Sequence, residues 1–314
     1  MNLLITRALP DSVVEDAQAR FNVTLRASSD PMTEREAAEA LGAYDAILCT
    51  IGDAFTARTF AGDLRCKLLA NFGVGYNHID AAAAHAAGVA VTNTPGAVTD
   101  ATADIALTLM LMVCRRAGEG ERMLRRGEWG GWTPTQLLGT HMSGKRLGIV
   151  GMGRIGQAVA RRAHFGFGME IGFFNRSPKQ VDVPATQMPD LPALLGWADL
   201  VVIAVPGGGE SRHLINAETL AAMGPDSYLI NVARGDVVDE AALIDALQTG
   251  RIKGAGLDVY EQEPTVPEAL IALENVTLLP HLGTAALEVR EAMGRMALSN
   301  VIAMSEGRAL VTPV

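Results

Sequence analysis

Cysteine is scarce: Cys49, Cys66 and Cys114 are the only three in 314 residues, far apart and each in an apolar setting. That spacing supports neither a disulfide framework nor a zinc site, and leaves buried thiols as the reading. Basic charge is also in deficit. Lys and Arg number 26 against 35 Asp and Glu, a formal net charge of −9, and no basic stripe is visible. A nucleic-acid partner is therefore not expected, and any anion site must be local. Long apolar runs are missing too. The longest, Ile105 to Cys114, is about half of what a bilayer crossing needs, and the short run Leu3–Ile5 near the start is far from a secretory signal. No membrane contact is expected, and the reading is cytoplasmic.

What is present describes an ordinary globular protein, with 49% hydrophobic and 19% charged residues. The length exceeds the usual single domain, so two are expected. The first hundred residues alternate apolar runs (LLITRA, NVTLRA, AILCT, KLLANF, VAVTNTP) with helical stretches beginning near Asp11 and Thr33. A second series follows from Lys145: RLGIV, MEIGFFN, LVVIAV, SYLINV, GAGLDV and VTLLP, with helical segments between most of them. Strands alternating with helices predict parallel sheets, and the nearly wholly apolar strands of the second series read as buried on both faces. Between the two series, Asp100 to Glu128 reads as one extended helix, apolar nearly all round in its first half and charged in its second. Such a first half must be covered on every side, by its own domains or by a second subunit. A last helix is expected from about Ala286 to Gly307.

The run RLGIV leads into Gly151, Met152, Gly153, Arg154, Ile155 and Gly156, then QAVARRA. Strand, glycine-rich turn and helix in this order suit a dinucleotide: a tight turn, close backbone approach to the pyrophosphate, and a helix N-terminus whose free N–H groups favour an anion. The adenosine ribose of such a ligand is read at the end of the next strand, where the sequence has Phe174, Asn175, Arg176 and Ser177. An acidic residue there would bond the 2′-OH of NAD and repel a 2′-phosphate. Asn175 does not repel, and Arg176 offers a charged fork, so NADP(H) is the expected cofactor, with NAD(H) as the alternative.

Arg234 in INVARGDVVD, Glu263 in DVYEQEP and His281 in LLPHLGTAA each follow a strand of this second series. Strand ends of a parallel sheet are where such folds place ligand-binding groups. Histidine is suited to give a proton near neutral pH, and a carboxylate beside it favours the protonated ring.

Taken together, NFGVGYNHID, NTPGAVTDATADIA, GKRLGIVGMGRIGQAVARR, INVARGDVVDEAALIDAL, GLDVYEQEP and LPHLGTA resemble the D-isomer-specific 2-hydroxyacid dehydrogenases, and within them the glyoxylate/hydroxypyruvate reductases, over nearly the whole chain. The resemblance implies reduction of small 2-keto acids such as glyoxylate and hydroxypyruvate. Arg234 would bind substrate, Glu263 assist, and His281 act as acid and base. The N–H groups of Val74 and Gly75 would take the substrate carboxylate, with Asn71, Tyr76 and Trp132 shaping the pocket. Thr102, Arg154, Ile155, Val205, Pro206, Val232, Ala233, Asp258 and Gly283 would line the cofactor, alongside the glycines and the Asn175–Ser177 run, with Asp258 near the nicotinamide amide. Pro206 to Glu210, PGGGE, departs from the PLTPE form usual in the family.

The same resemblance implies two Rossmann/flavodoxin-like α/β domains: a substrate domain of residues 1–98 plus 288–314 and a dinucleotide-binding domain of residues 99–287, with the active site in the cleft between them. A homodimer joined through the cofactor domains would cover the apolar helix, and Trp132 is either a core residue or reaches the partner's pocket. The competing readings are an NAD-dependent D-2-hydroxyacid or 3-phosphoglycerate dehydrogenase, and a nucleotide-sensing protein without turnover.

Overall fold

The computed structural model describes all 314 residues, Met1–Val314. The chain divides into two compact units, one of Met1–Val98 with Thr284–Val314 and the other of Thr99–Gly283. No helix in it is long and apolar enough to cross a membrane.

The first unit runs β1 (Asn2–Ile5), α1 (Asp11–Gln18), β2 (Asn22–Leu25), α2 (Glu34–Ala43), β3 (Ala46–Thr50), β4 (Leu68–Phe72), α3 (Ala81–Ala86) and β5 (Ala90–Thr92). Its strands form one parallel sheet in the order β2-β1-β3-β4-β5. Alternation along the strands divides the core in two. Leu3, Ile5, Leu48 and Leu68 face Val13 of α1 and Met293, Leu298 and Val301 from the C-terminal stretch. Leu4, Ile47, Cys49 and Leu69 face Ala37 and Leu41 of α2 and Ala84 of α3. Successive side chains of a strand point to opposite faces, so a sheet covered on both sides needs apolar residues at every position.

The second unit begins with α4 (Thr99–Cys114) and α5 (Ala117–Arg125). It continues through β6 (Arg146–Val150), α6 (Arg154–Phe167), β7 (Glu170–Phe174), β8 (Ala185–Gln187), α7 (Leu191–Trp197), β9 (Leu200–Ile203), α8 (Ala217–Ala221), β10 (Tyr228–Asn231), α9 (Glu240–Gln248), β11 (Gly254–Leu257), α10 (Glu268–Ile271) and β12 (Val276–Leu278). The sheet order is β12-β11-β10-β9-β6-β7-β8, all parallel. One face packs α4 and α6 through Leu109, Met110, Val159 and Ala163. The other packs α7, α8 and α9 through Leu194, Leu220 and Leu243. Both sheets are the parallel, doubly covered kind that the strand patterns predict. The last helix, α11 (Leu287–Ser305), packs on α1, β3 and β4 of the first unit.

One expectation needs correction, and one element goes beyond the sequence reading. The single helix read from Asp100 to Glu128 is broken: Arg116 takes φ 53°, a left-handed conformation, between α4 and α5. The cause is tertiary. The returning segment crosses the end of α4, where the Thr140 N–H takes the Cys114 carbonyl at 2.7 Å, and the Arg116 side chain forks onto Glu119 with both bonds at 2.7 Å. The short edge strand β8 was not read from the sequence at all. Its three residues, ATQ, carry no apolar alternation to reveal it. The three cysteines are buried free thiols, and burial pushes both Cys66 and Cys114 up to about 12.

Candidate active site

Because every strand of the second sheet points the same way, the residues that follow β6, β7, β9, β10, β11 and β12 rise from a single edge. The order of strands therefore gathers Gly151, Asn175, Val205, Arg234, Asp258 and His281 along it.

At its middle is the glycine turn. Gly151 has φ 98° and donates its N–H to the Phe174 carbonyl at 3.0 Å. A Cβ at Gly151 would lie 2.8 Å from Val205, and one at Gly156 would lie 2.2 Å from the Gly151 carbonyl oxygen. Those two glycines are required by the packing of strand, turn and helix. Gly153 is different, because a Cβ there would meet no atom of the chain within 4 Å. It caps α6 without a side-chain bond, so the first N–H groups of the helix, including those of Arg154 and Ile155, open onto free space. This cradle fits a dinucleotide pyrophosphate. Beside it, Asn175 donates to the Ser177 carbonyl at 2.9 Å, and Gln187 of β8 donates to the Asn175 carbonyl at 3.1 Å. Sequence reading missed Gln187, which sits on the strand that left no signal. Arg176 pairs with Glu210 in the loop after β9.

The next groups belong to β10, β11 and β12. Asn231 ends β10 and holds the following turn, donating to the Arg234 carbonyl at 2.9 Å and accepting the Ala233 N–H at 3.0 Å. Val232 and Ala233 are buried there. The Arg234 stem lies where a side chain at Gly207 would be, since a Cβ there would come within 2.6 Å of its Cγ. That contact gives a physical reason for one of the extra glycines in PGGGE. Burial pushes the Arg234 guanidinium below the usual arginine range, against the pull of Glu263 and Asp236.

Glu263 spends one oxygen on the Tyr260 N–H at 3.1 Å and lies 2.7 Å through the other from Nδ1 of His281. Burial alone would raise its carboxyl. The His281 bond and charge, the Tyr260 N–H and the nearby Arg234 outweigh that and hold it below the ordinary carboxylate range. His281 itself is a non-glycine residue at φ 53°, tied back by its N–H to the carbonyls of Asp258 and Leu279. With Nδ1 turned to the carboxylate, Nε2 makes no bond within the chain and is free to exchange a proton. Asp258, 2% exposed, accepts the N–H groups of Leu282 at 2.6 Å and Gly283 at 2.8 Å. The Gly283 carbonyl in turn accepts from Thr102 of α4 at 3.3 Å. Asp258 thus fixes the loop that carries His281, an engagement the sequence did not reveal.

In the first unit, Asn71 ends β4 and donates to the carbonyls of Gly73 at 2.9 Å and Gly75 at 3.1 Å, while Asn93 holds the Val74 carbonyl at 2.9 Å. With these carbonyls taken, the N–H groups of Val74 and Gly75 donate to no group of the chain. Trp132 is no core residue: it is 79% exposed, with Trp129, Leu124 and Leu138 also exposed nearby in sequence.

Comparison with known proteins agrees with this architecture. Residues 107–283 match the NAD binding domain of the D-isomer specific 2-hydroxyacid dehydrogenases. A glyoxylate reductase of Thermococcus onnurineus (strain NA1) is 41% identical over 312 residues, covering 97% of this chain and 93% of that protein. Among solved structures, an NADPH-dependent glyoxylate/hydroxypyruvate reductase from Sinorhizobium meliloti, in complex with NADP and malonate, superimposes with a TM-score of 0.88 at 36% identity over 100% of this chain and 96% of that one. A glyoxylate reductase from Paecilomyes thermophila gives 0.88 at 33% identity, over 100% and 98%. With its parallel cofactor sheet, its glycine cradle and its paired glutamate and histidine, the chain belongs to the D-isomer-specific 2-hydroxyacid dehydrogenase family and resembles the glyoxylate reductases within it.

Proposed function

We propose that the protein reduces small 2-keto acids of the glyoxylate and hydroxypyruvate type to 2-hydroxy acids, with NADPH as the preferred cofactor. The observation that carries the reading is the Glu263–His281 pair at 2.7 Å, with Nε2 unengaged, on the edge that also bears Arg234. A protonated His281 donates Nδ1–H to Glu263 and presents Nε2–H to a substrate carbonyl oxygen, which becomes the hydroxyl as the proton transfers. Glu263 orients the ring and stabilises the imidazolium, whose positive charge the ring gives up in reduction and regains in oxidation. Arg234 supplies the cation for the substrate, a charge-assisted fork suited to a carboxylate. From the first unit, the N–H groups of Val74 and Gly75 are assigned to the same carboxylate chemistry, and that unit is assigned the substrate role.

The cofactor, when bound, supplies the hydride. The cradle of Gly151, Gly153 and Gly156 with the N–H groups of Arg154 and Ile155 would hold its pyrophosphate. Asn175, Arg176 and Ser177 would read its adenosine ribose, and Thr102, Val205, Pro206, Val232, Ala233, Asp258 and Gly283 would line its remainder. The NADPH preference rests on the absence of an acidic residue at position 175 and the presence of Arg176 after it. A homodimer is assigned on the exposed Trp129, Trp132, Leu124 and Leu138. The test is a panel of glyoxylate, hydroxypyruvate, pyruvate, phenylpyruvate and 2-ketogluconate, followed by nicotinamide absorbance with NADPH and with NADH. Higher kcat/KM with glyoxylate or hydroxypyruvate and NADPH is expected. Turnover of none of the five would overturn the reaction, and a preference for NADH would overturn the cofactor assignment.

A further inference from the structure

Arg176 is the cation assigned to the cofactor's 2′-phosphate, yet its guanidinium is already engaged by the carboxylate of Glu210. The two come from different loops, after β7 and after β9, and those strands flank β6 with its glycine turn. Both loops therefore border the same stretch of any dinucleotide whose pyrophosphate lies on that turn. Both side chains are exposed, at 77% for Arg176 and 82% for Glu210, so either can exchange its partner for a ligand group.

Glu210 is not at the end of a free loop. The Gly208 carbonyl accepts the N–H groups of Ser211 and Arg212, both at 3.0 Å, and Ser211 Oγ donates to the Pro206 carbonyl at 2.7 Å. This closes a short turn with Glu210 in it. Behind the turn, Arg212 at 3.1 Å and His213 at 2.8 Å grip the Glu261 carboxylate, and the His213 N–H takes the Asp236 carbonyl at 2.8 Å. The ribose loop has no carboxylate of its own, because Asn175 turns its amide onto Ser177. Glu210 supplies from another loop the negative charge that an NAD site carries at the end of the second strand.

We infer that Glu210 is a specificity-determining residue that competes with the 2′-phosphate for Arg176 and so tempers the preference for NADPH over NADH. The inference rests on the reading of Asn175–Ser177 as the ribose loop. A bound 2′-phosphate must displace the Glu210 carboxylate from Arg176, whereas a 2′-OH brings no charge and leaves the pair intact. Replacing Glu210 by Gln removes the competitor and keeps the size of the side chain.

The experiment measures dissociation constants of NADPH and NADH by nicotinamide fluorescence, without substrate, for the parent, Glu210→Gln, Arg176→Ala and the double variant. Glu210→Gln is expected to raise the NADPH-to-NADH affinity ratio about two- to five-fold, the scale of one exposed ion pair. The gain should vanish in the Arg176→Ala background, and should shrink in 1 M salt, where the Debye length falls to about 3 Å. If Arg176→Ala weakens NADPH while Glu210→Gln leaves the ratio unchanged, the competitor role is overturned and the ribose-loop reading stands. A gain of the same size with Arg176 absent also overturns the role, because the carboxylate would then act on the phosphate without the arginine. If Arg176→Ala leaves NADPH affinity where it was, the ribose-loop reading falls and takes the inference with it.

Discussion

Asp258 is joined to the residue assigned as the acid by a backbone hydrogen bond, its carbonyl accepting the His281 N–H at 3.0 Å. Its carboxylate accepts from Leu282 and Gly283 at 2.6 and 2.8 Å, and burial raises its carboxyl above the ordinary range despite those two bonds and the nearby His281. Hydrogen bonds to a charged group contribute about 1.5–3 kcal/mol each, so the pair is worth roughly 3–6 kcal/mol before the cost of burying the charge is subtracted. A net of about 3 kcal/mol is expected for Asp258→Ala, which leaves two N–H groups without an acceptor at a buried position. Asp258→Asn keeps one acceptor oxygen but turns an NH2 toward the second N–H, for a loss of about 1.5–3 kcal/mol. The direct assay is amide hydrogen exchange. Protection at Leu282 and Gly283 should fall about 100-fold in Asp258→Ala, at about 1.4 kcal/mol per factor of ten. Because the loosened loop carries His281, kcat should fall about 10- to 100-fold, the penalty of misplacing a catalytic group by roughly 1 Å. Parent-like exchange at residues 282 and 283 together with parent-like kcat would refute the positioning role.

Arg234→Ala should abolish productive binding of the keto acid, seen as a collapse of kcat/KM with cofactor affinity largely retained; Arg234→Lys should recover only part, lacking the planar fork. His281→Ala should slow reduction by about 10²–10⁴-fold, the usual contribution of general acid catalysis, and single-turnover kinetics with saturating keto acid would expose a smaller effect. Gly153→Ala should leave Tm unchanged, because its Cβ meets nothing of the chain, and should weaken cofactor binding by calorimetry; Gly156→Ala should instead lower Tm, since its Cβ collides with the Gly151 carbonyl. The Glu263 carboxyl is held low in the folded chain, so its contribution to stability is present above about pH 4.3 and is lost as pH falls through the lowered native value. Urea midpoints between pH 6 and pH 3 should accordingly decline more steeply for the parent than for Glu263→Gln, and equal slopes would show that the folded chain does not hold this carboxyl low.

Much of this candidate site is legible in the sequence. The glycine turn announced itself because its requirements are local: a strand, a sharp turn and a helix start are written in contiguous residues. Arg234 and His281 could be singled out because each follows a recognisable apolar strand, and parallel strands carry their ligand groups at one end. The Arg116 break, by contrast, is marked in the sequence only by Gly118 and Gly120 just after it, poor helix formers that by themselves do not end a helix; the segment near Thr140 crossing the end of α4 decides it. Gln187 stayed hidden for a related reason. A three-residue edge strand has no buried face to impose a pattern.

Sequence alone determined the class of the fold, because side-chain periodicity and β-branched apolar runs record which faces are buried, and it named Arg234, Glu263 and His281 as candidates for the chemistry, because residue type and motif resemblance carry that much. Tertiary structure alone decided who partners whom. The strand order β9-β6-β7 brings Glu210 to Arg176, the turn after β11 places Glu263 on Nδ1 of His281, and Asp258 reaches across to the amides of Leu282 and Gly283. Each of these contacts joins loops that follow different strands. Hydrogen bonds form between groups within about 3 Å of each other, and that proximity is set by the order in which strands enter the sheet rather than by any local pattern along the chain.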